Sequence, residues 1–453
     1  MSTPLQTLFG SVTGKVLFIV LLVLLLLVPL GMIEGLIQER ARNYEVARTS
    51  IANAAGGAQT IGAPILVVPF EYTQLVQLLP VTVTDELYLL PEELTVTGAV
   101  ETDERKRGIY SVPVFEARLH VTGRFPAAAL ERHYDDLEIL WSQAQIALPL
   151  TDARSVKQPI VLASGVGTTT FQASGERVAG FGPQLVAPYA ALGLGALTAP
   201  QAFSLDVVVG GTGSVRFLPL GDETRVSIAS TWPSPSLVGA YLPQDPVEPT
   251  AEGFTAEWRV LDLGRGYPSK WQRSGGPPRD AAASAFGADL ITPVGVHEAT
   301  LRATKHAVLI IGLTFAAYFL FELFAALRLH ALQYLLIGVA NSVFYLLLLA
   351  LAEHVGFGAA YAASAIAATA LITSYSGAIL RSLRRAVPIG ALLTALYAYL
   401  YVTLKAEDYA LLFGAVGVFA VLAGFMYVTR HVDWFAVSFG ARGQDGARVQ
   451  LHA

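Results

Sequence analysis

The sequence predicts an α-helical polytopic membrane protein of six transmembrane helices, with a large β-rich extracytoplasmic domain inserted between helices 1 and 2. Three observations carry that expectation. Apolar residues make up 53% of the 453-residue chain and charged residues only 14%, against roughly 25% charged in an ordinary soluble domain. The charge is also unevenly spread: it is nearly absent from Val16–Ile33 and scarce from Ala307 to Thr429, while Glu34–Lys305 has ordinary polarity. Finally, the apolar blocks have the length a span needs. About 20 helical residues at about 1.5 Å each cross about 30 Å of hydrocarbon.

The first span is expected at Val16–Ile33, between Lys15 and Glu34. A cleaved signal peptide is the rival. Val16–Leu30 already has the length of the longest usual apolar signal region, and no small-x-small site follows before Glu34, which favours a retained anchor. The remaining five spans divide at charges: Ala307–Leu327, Ala331–Ala352, Val355–Leu380, Val387–Leu404 and Tyr409–Thr429. The expected organisation is therefore residues 1–33 as the N-terminus and helix 1, 34–55 as a helical stalk and 56–305 as the β-rich domain. Residues 306–429 make a five-helix bundle and 430–453 a tail.

Orientation follows from the short connections. With the N-terminus in the cytoplasm, the inner segments carry Lys15, Arg328, Arg381, Arg384, Arg385, Arg430, Arg442 and Arg448. The short outer loops hold Lys405 beside Glu353, Glu407 and Asp408. Lys and Arg gather on the cytoplasmic side of membrane proteins, and long translocated domains are exempt from the rule. Both termini are thus expected inside and the large domain outside, in the periplasm of a bacterium. The absence of cysteine excludes disulfides and thiolate metal sites. A net charge of −5 gives no case for nucleic-acid binding.

In the stalk, Ile33, Leu36, Ile37, Ala41, Tyr44, Ala47 and Ile51 fall on one helical stripe, for packing on the outer domain or for pairing with a second copy. Past Gly56-Gly57 the pattern becomes strand-like. Pro64–Phe70 reads as one strand and Gly108–Thr122 as two. Phe203–Val209 alternates, then Gly210–Gly213 and Gly221-Asp222 suggest a hairpin series through Val215–Leu218 and Arg225–Ser230, with Phe254–Leu261 as a further strand. Tyr267–Pro278 and Ala281–Ala288 read as loop. Many short strands with Gly/Pro turns point to a sandwich or barrel-like domain.

The catalytic motifs are missing. His297-Glu298 lacks the second histidine of a zinc-protease helix, Ala163–Gly167 is not a nucleophile elbow, and the eight histidines show no metal spacing. Glu322 is the residue that asks for an explanation. It lies about six residues, or about 9 Å, inside the second span. An intramembrane carboxylate is a candidate for proton or ion coupling. The structural alternative is an interfacial pair with an inner-face cation such as Arg430, or with Gln333. The fourth span is rich in alanine (Ala359–Ala370), which suits close helix packing. The basic loop Arg381–Arg385 suits topology and anionic headgroups.

Several strings resemble the CreD family of inner-membrane proteins. They are Arg302–Lys305 with Phe321-Glu322, Leu329–Leu336, and Phe344–Leu351 followed by Glu353-His354. In the outer domain they are Arg105–Tyr110, Thr231-Trp232-Pro233-Ser234-Pro235-Ser236 and Tyr241-Leu242-Pro243. The resemblance implies a bacterial inner-membrane protein of cell-envelope integrity, linked to a two-component stress response. It brings no catalytic mechanism and no cofactor. Trp232, Pro233 and Pro235 are either a stiffened structural turn or a recognition surface. The expected partners are the lipid bilayer, a periplasmic or membrane protein, and a second copy of the chain. The expected role is non-enzymatic support of the envelope. A transporter or channel using Glu322 is the alternative, and a sensor the third reading.

Overall fold

The computed structural model of the chain describes residues 12–77, 79–127, 137–165, 167–174, 181, 184–192, 199–275, 281–290, 296–325, 329–406 and 409–430. The tail beyond Arg430, with Arg442 and Arg448, lies outside them. So do Arg328, Glu407 and Asp408 of the orientation count, Val166, and Gly276–Pro278 of the expected loop. Two compact units emerge, Met1–Asn43 with Val294–Ala453, and Tyr44–Pro293.

Among the described residues six helices are long and apolar enough to cross a membrane, one N-terminal and five C-terminal. Helix α1 is a single 44-residue element, Val12–Ala55, so span and stalk are continuous. Leu22, Leu26, Leu30, Ile33 and Ile37 are buried at helical spacing, while Leu17, Leu21, Leu24, Leu25 and Val28 are exposed, as lipid-facing residues would be. The stalk stripe holds except at Leu36, which is 44% exposed. Its position is one residue off the row of buried Ile33 and Ile37, so the helical turn carries it outward.

An amphipathic helix, α2 (Val296–Lys305), stands where the end of the β-rich domain was expected; it groups with the helical unit and leads into α3 (Ala307–Ala325). The bundle continues with α4 (Ala331–Val355), α5 (Phe357–Ile379), α6 (Leu383–Lys405) and α7 (Ala410–Thr429). Gly356, at φ 78°, ends α4 and begins α5, a conformation that glycine adopts without strain. The alanine-rich span packs as expected: Ala360, Ser364, Ala368 and Ile372 form its buried row. The basic loop is shorter than expected. Arg384 and Arg385 already belong to the first turn of α6, and Pro388 lies inside the helix in its second turn.

The Tyr44–Pro293 unit is β-rich, with three sheets sharing one buried core. One seven-stranded sheet runs, edge to edge, Phe254–Leu261, Glu223–Ser230, Glu93–Arg107, Tyr110–Phe125, Gln201–Thr212, Val161–Ser164 and Thr168–Thr170. The second runs Gln172–Ser174, Gln184–Pro188, Gln145–Pro149, Ile65–Val76, Leu79–Leu89 and Lys270–Gln272, with Glu138–Ile139 beside Ile65–Val76. A four-stranded sheet runs Gln59–Ile61, Ser214–Phe217, Phe286–Leu290 and Pro235–Gly239. Strict alternation in Phe254–Leu261 puts Phe254, Ala256, Trp258 and Val260 into the core.

Several strand expectations need correction. The strands between Phe203 and Ser230 form near where they were placed, but they do not pair as a hairpin series. Gln201–Thr212 pairs with Tyr110–Phe125, Ser214–Phe217 with Gln59–Ile61 and Phe286–Leu290, and Glu223–Ser230 runs parallel to Glu93–Val100. Gly213, at φ 80°, hands the chain from one sheet to another instead of folding it back. Gly108–Thr122 contributes one long strand, Tyr110–Phe125, rather than two. Pro113 is tolerated because the neighbour on its other side reaches only as far as Val114. Finally, the strand Lys270–Gln272 lies inside the expected loop Tyr267–Pro278, and the strand Phe286–Leu290 begins inside the expected loop Ala281–Ala288. Each completes a sheet whose other members lie far away in sequence.

Candidate functional site

Glu322 stands in the last turn of α3 and is 1% exposed. Burying a carboxylate in a bundle requires donors for both oxygens, and the fold brings three. Lys15, at the start of α1, forms an ion pair with Oε1. The backbone N–H of Leu329 donates to the same oxygen at 3.2 Å, and the Tyr334 hydroxyl donates to Oε2 at 3.2 Å. The expected pair with a cation is present, but the cation is Lys15 rather than Arg430. Gln333 is engaged elsewhere: its side chain accepts from the His330 N–H at 2.9 Å, while His330 accepts from Leu332 N–H at 3.2 Å. This reciprocal cap starts α4 and turns Tyr334 towards Glu322.

Aromatic packing fixes that tyrosine. Phe315 and Tyr318 of α3 meet its ring edge-on at 5.6 and 6.2 Å, a favourable arrangement for aromatic pairs. The Tyr318 hydroxyl is in turn hydrogen-bonded to Ser376 of α5. Further along α4, Asn341 accepts from the Tyr397 hydroxyl of α6 at 3.1 Å and donates to Ile337 O at 3.1 Å. Tyr361 of α5 donates to Tyr397 O at 2.7 Å. At the other end of the bundle Arg40 pairs with Glu353 at 3.6 Å. A sequence scan for charge inside spans reaches Glu322 but passes over Tyr334, Asn341 and Tyr397. An asparagine near the middle of an apolar span was the available signal.

Trp232, Pro233 and Pro235 belong to the other unit, apart from the one that holds Glu322. Trp232 is buried in the β core, and its backbone N–H donates to Ser230 Oγ at 3.3 Å. Pro235 opens the edge strand Pro235–Gly239, where a missing N–H is tolerated, and Pro233 is exposed between them. Next to them, Thr231 Oγ1 accepts from Thr102 N–H at 3.0 Å. His120 and Asp206 meet at 2.7 Å on the outward face of the same sheet as Thr102. On that face Arg259, with Arg225, hydrogen-bonds Glu223 and holds its carboxyl below the usual range. Among the described residues no group of three or more His, Asp or Glu is arranged to hold a metal ion.

The family model described as Inner membrane protein CreD matches residues 11–435. The chain belongs to the CreD family. Inner membrane protein CreD of Escherichia coli (strain K12) is 32% identical over 409 residues, which is 89% of each chain. The CreD match takes in both units and all six apolar helices, so the chain is a multi-pass inner-membrane protein. A solved structure from Parabacteroides distasonis, described provisionally as a protease, aligns with 57% of this chain and 50% of its own. Its 10% identity and TM-score of 0.25 carry no argument about fold or activity.

Proposed function

We propose that the chain supports cell-envelope integrity as a non-enzymatic inner-membrane protein. In this reading the β-rich domain faces the periplasm and binds an envelope component or partner protein, with both termini in the cytoplasm. The observation that carries it is the closed environment of Glu322. A carboxylate that loads and releases protons or ions needs a path to water. This one is 1% exposed and held by Lys15, Tyr334 and the Leu329 amide. Such a cluster ties α1, α3 and α4 together, so it supports a bundle that anchors and positions the outer domain. The orientation rests on the Lys/Arg distribution.

The deciding experiment is survival of a deletion strain under envelope stress, complemented at matched membrane levels. The full chain and Glu322→Gln should both restore survival, and a chain lacking residues 56–290 should not. If Glu322→Gln fails at normal abundance while the truncated bundle complements, the integrity reading is wrong and transport replaces it.

A further inference from the structure

The hairpin Ile65–Val76/Leu79–Leu89 leaves its sheet part-way along. Ile65–Val67 pairs with Gln145–Ala147, Phe70-Glu71 with Glu138-Ile139, and Leu87–Leu89 with Lys270–Gln272. Among the described residues, the rungs from Tyr72↔Val83 to Val76↔Leu79 have no third strand beside them. The four rungs beyond Tyr72, at about 3.3 Å each, make an arm about 13 Å long. At its end Gln77 takes φ 52°, the positive φ found in the primed turns of short hairpins.

The chemistry of the arm is unusual for a water-facing ribbon. No residue from Thr73 to Thr84 is charged. At the end, Leu75 and Leu79 are 69% and 67% exposed and Val81 is 43% exposed. The domain's other long hairpin, Glu93–Arg107/Tyr110–Phe125, ends in the ordinary way, with Asp103, Glu104, Arg105, Lys106 and Arg107 on its last rungs. Charge at a tip keeps exposed strand edges from associating. An apolar, charge-free tip is built to be covered.

The register indicates by what. Directly paired residues share a face and successive pairs alternate. Leu79 and Val81 therefore lie on one face of the ribbon, and Leu75 with Pro80 on the other. A groove on a protein partner covers one face of a ribbon, whereas lipid surrounds both. We propose that this hairpin is a lipid anchor, its tip entering the interfacial layer of the bilayer in which the chain is embedded. Backbone groups on the ribbon's free edges limit the depth, because hydrocarbon does not satisfy them. Two to three rungs give about 7–10 Å, within the depth of interfacial segments. A weak apolar contact suffices, since the β domain is tethered to the membrane and the second contact is intramolecular.

The absence of cysteine makes the test clean. A fluorophore attached through Leu79→Cys, or independently through Val81→Cys, reports one position of the full chain in nanodiscs holding one copy each. Spin-labelled lipids should quench both tip labels. Aqueous iodide should quench them several-fold less than a label at Leu263→Cys, a position 92% exposed. Adding Leu75→Asp should remove the protection. Equal iodide quenching at the tip and at position 263, without quenching from lipid, overturns the proposal. Protection seen only in crowded vesicles, and lost in one-copy discs, assigns the tip to a second copy and overturns it too.

Discussion

Lys15 and Glu322 differ in what each can do once the other is gone. Lys15 sits near the start of α1 with its side chain 13% exposed, and a lysine stem there can carry the ammonium outward to the headgroups. Glu322 has no such exit. Lys15→Met should therefore be the more damaging change, costing about 3–5 kcal/mol by leaving a buried charge without its cation. Glu322→Gln should cost less, about 1.5–3 kcal/mol for a lost charge-assisted hydrogen bond. The double variant should recover part of the loss. Thermal unfolding of the three detergent-solubilised variants measures this, and strictly additive effects would show that the pair is not coupled. Glu322 was legible in the sequence because a lone carboxylate interrupts an apolar run. Its partner was not, since Lys15 lies 307 residues away and reads there only as the charge that precedes a span.

At the scale of elements, charge interruptions located all six spans. A four-residue shift came where arginines could join a helical turn, at Leu383. Strands were legible where alternation was long, as in Phe254–Leu261, because half-burial imposes period two on the residues. Alternation tells which face a residue takes and says nothing of which neighbour its strand has. That is why Ser214–Phe217 and Glu223–Ser230 were placed well and paired wrongly. Helix packing gives a direct check at Gly338 of α4. A Cβ there would stand 2.2 Å from Leu26 Cδ1 and 2.8 Å from Phe315 Cζ. Gly338→Val should cost about 1–3 kcal/mol by overpacking, while Gly312→Ala, with nothing within 4 Å, should leave the melting temperature within a degree or two of the parent. Equal stability of the two variants would contradict the close approach of α1, α3 and α4. Orientation is checked separately with a periplasm-active reporter, expected active after Gly356 or Ala406 and silent after Arg384. Reversal at two of these sites would invert the topology.

For the whole molecule, the question is whether the β-rich unit stands without the bundle. Its core is continuous from Ile61 to Leu290, so residues 44–293 expressed alone should fold with a mainly β circular-dichroism spectrum; a helix-dominated spectrum would refute that. The sharper expectation concerns where the fragment begins. Thr212 is buried, its hydroxyl donates to Gly56 O at 3.1 Å and its N–H to Gly57 O at 3.1 Å. Gly56 itself is at φ 98°, and a Cβ there would meet Ser155 Cβ at 2.7 Å and Gly210 O at 2.9 Å. Further up α1, Tyr44 meets the Tyr110 ring edge-on at 6.0 Å and Ser50 is hydrogen-bonded to Arg107. The end of α1 is thus a latch on the domain rather than a linker. A fragment starting at residue 59 loses both acceptors of Thr212, and each buried group left unsatisfied costs about 1–3 kcal/mol. At about 2–4 °C per kcal/mol for a unit of this size, it should melt roughly 5–15 °C below the fragment starting at residue 44 while keeping the same β spectrum. Coincident melting curves would mean that the helix end is only a tether, and that the β-rich unit owes nothing to the helix that precedes it.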